Sequence, residues 1–393
     1  MAADPSIARR DGPGRPPAVL QVVPALVTGG VERGTVDIAA ALVAAGWRAV
    51  VASSGGPMVR ELERAGAEHV TLPLAAKNPL ALRRNATRLA RLIEHGPIDI
   101  VHARSRAPAW SALWAAERTK RHFVTTFHSA YAGLSRPKRW YNSVMARGER
   151  VIAISEFVGR FAAETYGVPA ERLRVIPRGV DFDRFDPAVV APPRLIALAR
   201  EWRLEEAKPV VMLPGRITRW KGALDLVDAA AWLGRSDIQV LLVGSEEQRP
   251  RFRNELIRRV RRRGLEGVVR MVGDCRDMPA AYMLADVVVS ASSEPEGFGR
   301  VAVEAQAMGR PLIATDHGGT HETVLAGETG WLVQPGNPQA LGAALEAALA
   351  LDPAQRQVLG AHGRAWVTER FSVAKMCEAT LAIYHELLFP APP

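Results

Sequence analysis

From residue 18 onward the chain alternates short, mainly apolar runs with longer stretches whose apolar residues recur every three or four positions. AVLQVVPAL opens the series, and RAVVASS, HVTLPL, DIVHA, HFVTTFH and RVIAIS follow, separated by helical patterns around residues 57–65, 79–95, 107–119 and 137–148. Uninterrupted apolar runs predict strands buried on both faces, and strands interleaved with helices predict a parallel, doubly wound sheet. The alternation restarts at PVVMLPGR and continues through IQVLLVG, VVRMVG, VVVS and a strand begun by Pro311. Helical patterns at about 337–350 and 353–370 and an apolar-spaced helix in SVAKMCEATLAIYHELLF close the chain. Between the two series lies APPRLIALAREWRLEEAKP, residues 191–209, whose proline and charge content predicts a domain boundary. The fold class expected is α/β, with Rossmann-like domains over 18–195 and 205–371, a Pro-, Gly- and Arg-rich tail over 1–17 that reads as disordered, and a last helix over 372–390.

Composition narrows the class. A length of 393 residues suits two domains with a core each, and 48% hydrophobic with 23% charged residues reads as a soluble globular protein. No uncharged apolar run approaches the roughly 18 to 20 residues of a membrane span, and the N-terminus lacks a signal-peptide core, so a cytoplasmic protein is expected. Two cysteines, Cys275 and Cys377, have no neighbouring ligand pattern and imply neither a disulfide framework nor a zinc site. The net charge of +10 is uneven: residues 1–200 hold 29 Lys and Arg against 17 Asp and Glu, while the remainder is slightly acidic. A basic first half points to an anionic partner.

The densest chemistry sits in EPEGFGRVAVEAQAMGRP, residues 294–311. Gly297, Phe298 and Gly299 form a tight loop before a helix, and a helix N-terminus seats an anion such as a diphosphate. Glu296 precedes that seat and Glu304 lies about two turns beyond it, roughly 10 Å by helical rise, so the pair suits two ends of one elongated ligand. Either glutamate alone also fits a cap or a solvated helix face. In PGRITRWKG, Gly215, Arg216 and Lys221 occupy the first strand-to-helix turn of the second half, where two cations neutralise a diphosphate leaving group. Gly29 and Gly30 occupy the matching turn of the first half, and His102 and His128 close strands on the same side.

Taken together, these stretches resemble the family 4 glycosyltransferases, retaining enzymes of the GT-B fold, over nearly all of the chain from residue 18. The resemblance implies two Rossmann-like domains facing each other across a cleft, the first for acceptor and the second for donor, with the final helix crossing back to the first. It assigns Glu296 to donor-sugar hydroxyls, Glu304 to the ribose, Arg216 and Lys221 to the donor phosphates, and His128 to the face of the transferred sugar. Gly29, Gly30, Gly215, Gly244, Gly297, Phe298 and Gly299 line the donor site on this comparison, Gly244 near the nucleotide base. Two positions depart from the pattern: Arg104 stands for the second histidine of a paired motif, and Arg178 for a usual asparagine. The implied reaction is hexosyl transfer from a nucleotide sugar, its co-substrate, with no metal or other cofactor. The implied acceptor is a lipopolysaccharide-type or lipid-linked envelope glycan.

Within SRPKRWYNSVMARGER, residues 135–150, Arg136, Lys138, Arg139, Arg147 and Arg150 accompany Trp140, Tyr141 and Met145. That mixture predicts peripheral docking on the anionic cytoplasmic face of the inner membrane, unless the aromatic residues pack into the core. Nucleic-acid binding has only charge in its favour and is not expected. Two alternatives remain: a nucleotide-sugar epimerase or another activity on the same fold, and a non-enzymatic binding protein with two lobes.

Overall fold

The computed structural model describes residues 15–27, 29–131, 135–245 and 250–390. Residues 1–14 of the expected disordered tail lie outside them. The chain divides into two units, Met1–Gly179 with Val373–Pro393, and Val180–Ser372.

Among the described residues the first unit holds a seven-stranded sheet of β1 (Ala18–Val22), β2 (Arg48–Ser53), β3 (Glu68–Thr71), β4 (Ile100–Ala103), β5 (His122–Phe127), β6 (Arg150–Ala153) and β7 (Leu173–Val175). Their spatial order is β3-β2-β1-β4-β5-β6-β7, and each neighbouring pair is parallel. The continuous apolar runs are explained by helices covering both faces. Even Gln21 in β1 is fully buried, and its amide nitrogen donates to the Thr35 carbonyl at 3.0 Å, which pins the helix Gly30–Ala44 to the sheet. After β1 the chain runs outward through β2 and β3 and returns to β4 beside β1. Connections therefore diverge between β1 and β4 and leave a crevice at their carboxyl ends, the place where open α/β sheets bind ligands.

The final helix, Val373–Leu388, packs within this unit, where Met376, Cys377, Ile383 and Tyr384 join Ile38, Leu42 and Val124 in one apolar cluster. Its end is also fastened by polar contacts. The Tyr384 hydroxyl meets His102 Nδ1 at 2.6 Å, and Glu386 receives Arg150 at 2.6 Å and Arg174 at 3.0 Å. His102 Nε2 meets the Thr126 hydroxyl at 2.7 Å, so both ring nitrogens are used inside the fold.

The second unit holds, among the described residues, a six-stranded sheet of β8 (Val210–Pro214), β9 (Gln239–Val243), β10 (Val269–Gly273), β11 (Val287–Ser290), β12 (Leu312–Thr315) and β13 (Trp331–Val333). Its order, β10-β9-β8-β11-β12-β13, repeats the reversal, here between β8 and β11. The proline-rich stretch 191–209 is part of this unit. Pro192 starts a helix to Glu201, as proline does well at a first helical position; Leu198 and Trp202 are buried, and Arg194 forks onto Asp277 at 2.8 and 2.6 Å. The basic helix Pro250–Arg262 turns Phe252, Leu256 and Val260 inward, while Arg259 and Arg263 pair with Asp228. No helix among the described residues is long and apolar enough to cross a membrane.

Candidate active site

In the second unit the loop after β11 leads into the helix Arg300–Ala307 and carries Glu296. Lys221 donates to Glu296 Oε1 at 2.6 Å, and the Ser292 hydroxyl donates to the same oxygen. Burial pushes this carboxyl towards protonation, but the Lys221 charge and hydrogen bond, the Ser292 hydroxyl and His317 outweigh it and hold Glu296 below the usual carboxylate range. Oε2 of Glu296 makes no hydrogen bond among the described residues.

Lys221 reaches this place because the turn after β8 is pressed against the end of β11. A side chain at Gly222 would begin 1.8 Å from the Ala291 carbonyl, at a φ of 75°, so only glycine fits there. Gly244 touches Gly215 in the same way, its absent Cβ falling 2.0 Å from the Gly215 carbonyl. Arg216 in this turn is exposed and makes no hydrogen bond or ion pair among the described residues.

Glu304 lies within the helix, 8% exposed. Tyr282 donates to its Oε2 at 2.9 Å and Arg300 to its Oε1 at 2.8 Å. Burial, reinforced by Glu304, raises the Tyr282 hydroxyl well above its ordinary value, so it remains a donor. Each carboxylate oxygen has two lone pairs, which leaves Glu304 capacity for a diol. Phe298, expected along the donor site, instead turns its ring inward to meet Phe371 edge-on at 5.3 Å, filling apolar space under the loop. The backbone at Gly297 and Gly299 remains the part of the loop that fronts the helix N-terminus. His317, in the glycine-containing loop after β12, is a further residue beside Glu296 that the sequence analysis does not single out. Both His317 ring nitrogens are buried without a hydrogen-bond partner among the described residues, and Gly319 ties its loop to Glu296 through an N–H to carbonyl bond of 2.9 Å.

In the first unit, Gly29 and Gly30 follow β1, His128 follows β5 and Arg178 follows β7, all at the carboxyl side of the sheet. Arg178 joins the other two places: it donates to the Gly30 carbonyl through Nη1 and to His128 Nδ1 through Nη2 at 3.0 Å. A guanidinium can only donate, so His128 Nδ1 accepts and the neutral ring carries its proton on Nε2. That nitrogen is buried and, among the described residues, has no hydrogen-bond partner of ordinary geometry, although the Arg104 backbone lies near enough to act on the ring. Burial first, then Arg178, Arg104 and His102, keeps the ring neutral by lowering its pKa well below the usual histidine value. His128 is thus a hydrogen-bond donor at Nε2. The only sequence signal for Arg178 was its departure from the family's asparagine.

Known proteins resemble the chain in both of its units. Residues 28–184 match the family model described as Glycosyltransferase Family 4, and residues 197–366 that described as Glycosyl transferases group 1. Over 311 residues the chain is 30% identical to a D-inositol 3-phosphate glycosyltransferase of Xylanimonas cellulosilytica, covering 74% of this chain and 72% of that protein. Over 302 residues it is 30% identical to the lipopolysaccharide core biosynthesis mannosyltransferase LpsB of Rhizobium meliloti, covering 75% and 81%. A solved glycosyltransferase from Rickettsia africae superposes with a TM-score of 0.88 at 37% identity, covering 96% of this chain and all of that one.

Proposed function

The chain belongs to the family 4 glycosyltransferases, of the GT-B fold, and on that premise we propose that it transfers a hexose, with retained anomeric configuration, from a nucleoside diphosphate sugar to a hydroxyl of a cell-envelope glycan. The observation that carries this reading is the buried Lys221–Glu296 pair ahead of the helix Arg300–Ala307. Transfer breaks the bond between the anomeric carbon and the diphosphate, and negative charge grows on the departing oxygen. Lys221, Arg216 and the first-turn N–H groups of the helix meet that charge. Because these cations come from the chain, the leaving group needs no metal ion and the reaction no further cofactor. Glu296 Oε2 accepts from a sugar hydroxyl and Glu304 from the ribose diol, while His128 Nε2–H, in the first unit, donates to an oxygen of the acceptor.

A membrane-presented acceptor is supported by the first unit's surface. Trp140 is 62% exposed and stacked on Trp110 at 4.9 Å, and Arg136, Lys138, Arg139 and Arg147 around it are exposed. Such a patch suits an anionic lipid interface, which on this reading is the cytoplasmic face of the inner membrane. The lipopolysaccharide-core relative favours an envelope glycan as the acceptor.

Nucleotide release from UDP-, GDP- and ADP-sugars, with and without envelope glycan acceptors, tests the reaction, and the anomeric coupling in the NMR spectrum of the product tests retention. Acceptor-dependent release with an unchanged anomer is expected. Conversion of donor to an epimer without acceptor would replace the proposal with the epimerase reading.

A further inference from the structure

Gly34 is a glycine without a backbone reason. It is buried inside the helix Gly30–Ala44 and its φ is not positive, so alanine would suit the helix better. What the missing side chain provides is room. A Cβ added there would fall 2.9 Å from Arg178 Nη1 and 3.0 Å from Arg104 Nη2. Arg178, which follows β7 and is buried, uses that room to reach two places at once. Its Nη1 donates to the carbonyl of Gly30, the first residue of the same helix, and its Nη2 donates to His128 Nδ1 at 3.0 Å. A guanidinium is a rigid planar fork, so the arm held by Gly30 fixes the direction of the arm that meets His128.

The identity of the residue at this place decides what the imidazole can do. A neutral ring carries one proton, on either nitrogen, and the choice follows the hydrogen bond made by the other nitrogen. Arginine has no acceptor, so it can pair with Nδ1 only through that atom's lone pair. The opposite tautomer would set one N–H against another. An asparagine, usual here in the family pattern, has both an amide oxygen and an amide nitrogen to offer and would permit either tautomer. Arg178 permits one. A ring with Nδ1 engaged and Nε2 protonated keeps a donor for a ligand and has no lone pair left to receive a proton.

We propose that Arg178 is a positioning residue that locks His128 in the Nε2–H tautomer, so that the ring serves the acceptor as a hydrogen-bond donor and cannot act as the base for its hydroxyl. Gly34 belongs to the same device, as the gap through which the guanidinium reaches the ring. The consequence for the acceptor rests on the glycosyltransferase reading; the lock itself rests on the geometry of the first unit.

Nitrogen-15 NMR of histidine-labelled full chain tests the lock, with His128→Gln assigning the ring signals. At neutral pH wild type shows Nδ1 as the unprotonated nitrogen and Nε2 as the protonated one. Arg178→Leu, which cannot donate, draws both signals towards the average of two exchanging tautomers. Arg178→Lys, still only a donor, keeps more of the wild-type pattern, and Gly34→Ala, whose methyl group displaces the guanidinium, repeats the effect of Arg178→Leu in weaker form. A role in packing alone would move the melting temperature and not the tautomer. Protonation of Nδ1 in wild type, or a wild-type pattern in both Arg178→Leu and Gly34→Ala, overturns the proposal. With whichever of the UDP-, GDP- or ADP-sugars the chain turns over, Arg178→Leu lowers kcat about tenfold, the value of one hydrogen bond, and leaves the donor KM near wild type because Glu296 and Glu304 belong to the other unit. An unchanged kcat in a variant whose tautomer has changed overturns the mechanistic half. If the tautomer responds to Arg178 yet no sugar donor releases nucleotide, the lock stands and the transferase reading falls.

Discussion

Lys221 Nζ lies 2.6 Å from Glu296 Oε1, so a residue assigned to phosphates and one assigned to the sugar share a hydrogen bond across 75 positions of sequence. The Lys221 charge helps keep Glu296 ionised despite its burial. Lys221→Ala should lower transfer by on the order of a hundredfold, as loss of a charge-stabilising group does. It should also leave Glu296 buried without its cation, so its damage overlaps with that of Glu296→Gln. Steady-state rates for the two single variants and the double should show coupling of about 1 to 3 kcal/mol. Strictly additive losses would mean that the pair does not act as one unit. Arg216→Ala should lower transfer comparably but add independently to Glu296→Gln, because Arg216 has no partner among the described residues.

The two glutamates should separate by ligand. Glu304→Gln is expected to weaken a bare nucleoside diphosphate, and Tyr282→Phe to do so less, since Arg300 still holds the carboxylate at 2.8 Å. Glu296→Gln should leave the bare nucleotide nearly untouched and weaken the intact sugar donor. Calorimetry with both ligands decides the matter; equal losses for both ligands in both glutamate variants refute the division.

Acid should loosen the first unit through its buried histidines. Burial lowers His102 well below its ordinary value of 6.5, with Arg104 adding to the effect. Because the folded ring resists a proton that the unfolded ring accepts, the stability it contributes is complete above pH 6.5 and falls as pH drops below that value towards the folded pKa. His128 acts in the same direction. Melting temperature should therefore fall between neutral pH and about pH 5. His102→Gln should be less stable at neutral pH, having lost its bonds to Tyr384 and Thr126, yet lose less on acidification. An unchanged pH slope in that variant would remove His102 from the account.

The architecture was legible because parallel strands buried on both faces leave mainly apolar runs; β8 is wholly apolar, β1 and β9 depart from that only at Gln21 and Gln239, and all three are buried throughout. The helix over 79–95 was equally plain, with Asn78 accepting from Ala81 at 2.8 Å and Pro79 behind it. The stretch 191–209 read as a linker because proline and charge mark both linkers and helix starts; only the burial of Leu198 and Trp202 separates the two. Relationships across the sheet were hidden for a different reason. Lys221 meets Glu296 because β8 and β11 are neighbours, and Arg178 meets Gly30 from 148 residues away, so both depend on a strand order that no local pattern states. His317 carried no signal of its own beyond the glycines that follow it.

The basic stretch 135–150 makes the last prediction, because the fold sorts its residues. Met145 is fully buried, and Arg150 is tied to Glu386 at 2.6 Å, so these two belong to the interior and to an ion pair and not to a docking face. Tyr141 is half-buried, its hydroxyl directed to the Arg106 carbonyl at 3.4 Å. What remains outside is Arg136, Lys138, Arg139 and Trp140 on the short helix Arg136–Asn142, with Arg147 lying over Trp110 at 5.0 Å. An indole held flat on a buried neighbour presents an apolar face at little conformational cost, and each cation near an anionic surface contributes about 1 kcal/mol. Sedimentation with anionic vesicles should bring the protein down reversibly and less so as salt rises, while neutral vesicles should not. Replacing Arg136, Lys138 and Trp140 together should abolish the binding without altering nucleotide release from a water-soluble acceptor assay, since none of the three touches the residues around Glu296 or His128. Binding to neither vesicle, or binding unchanged by the triple replacement, would assign the patch to some other role and the acceptor to solution.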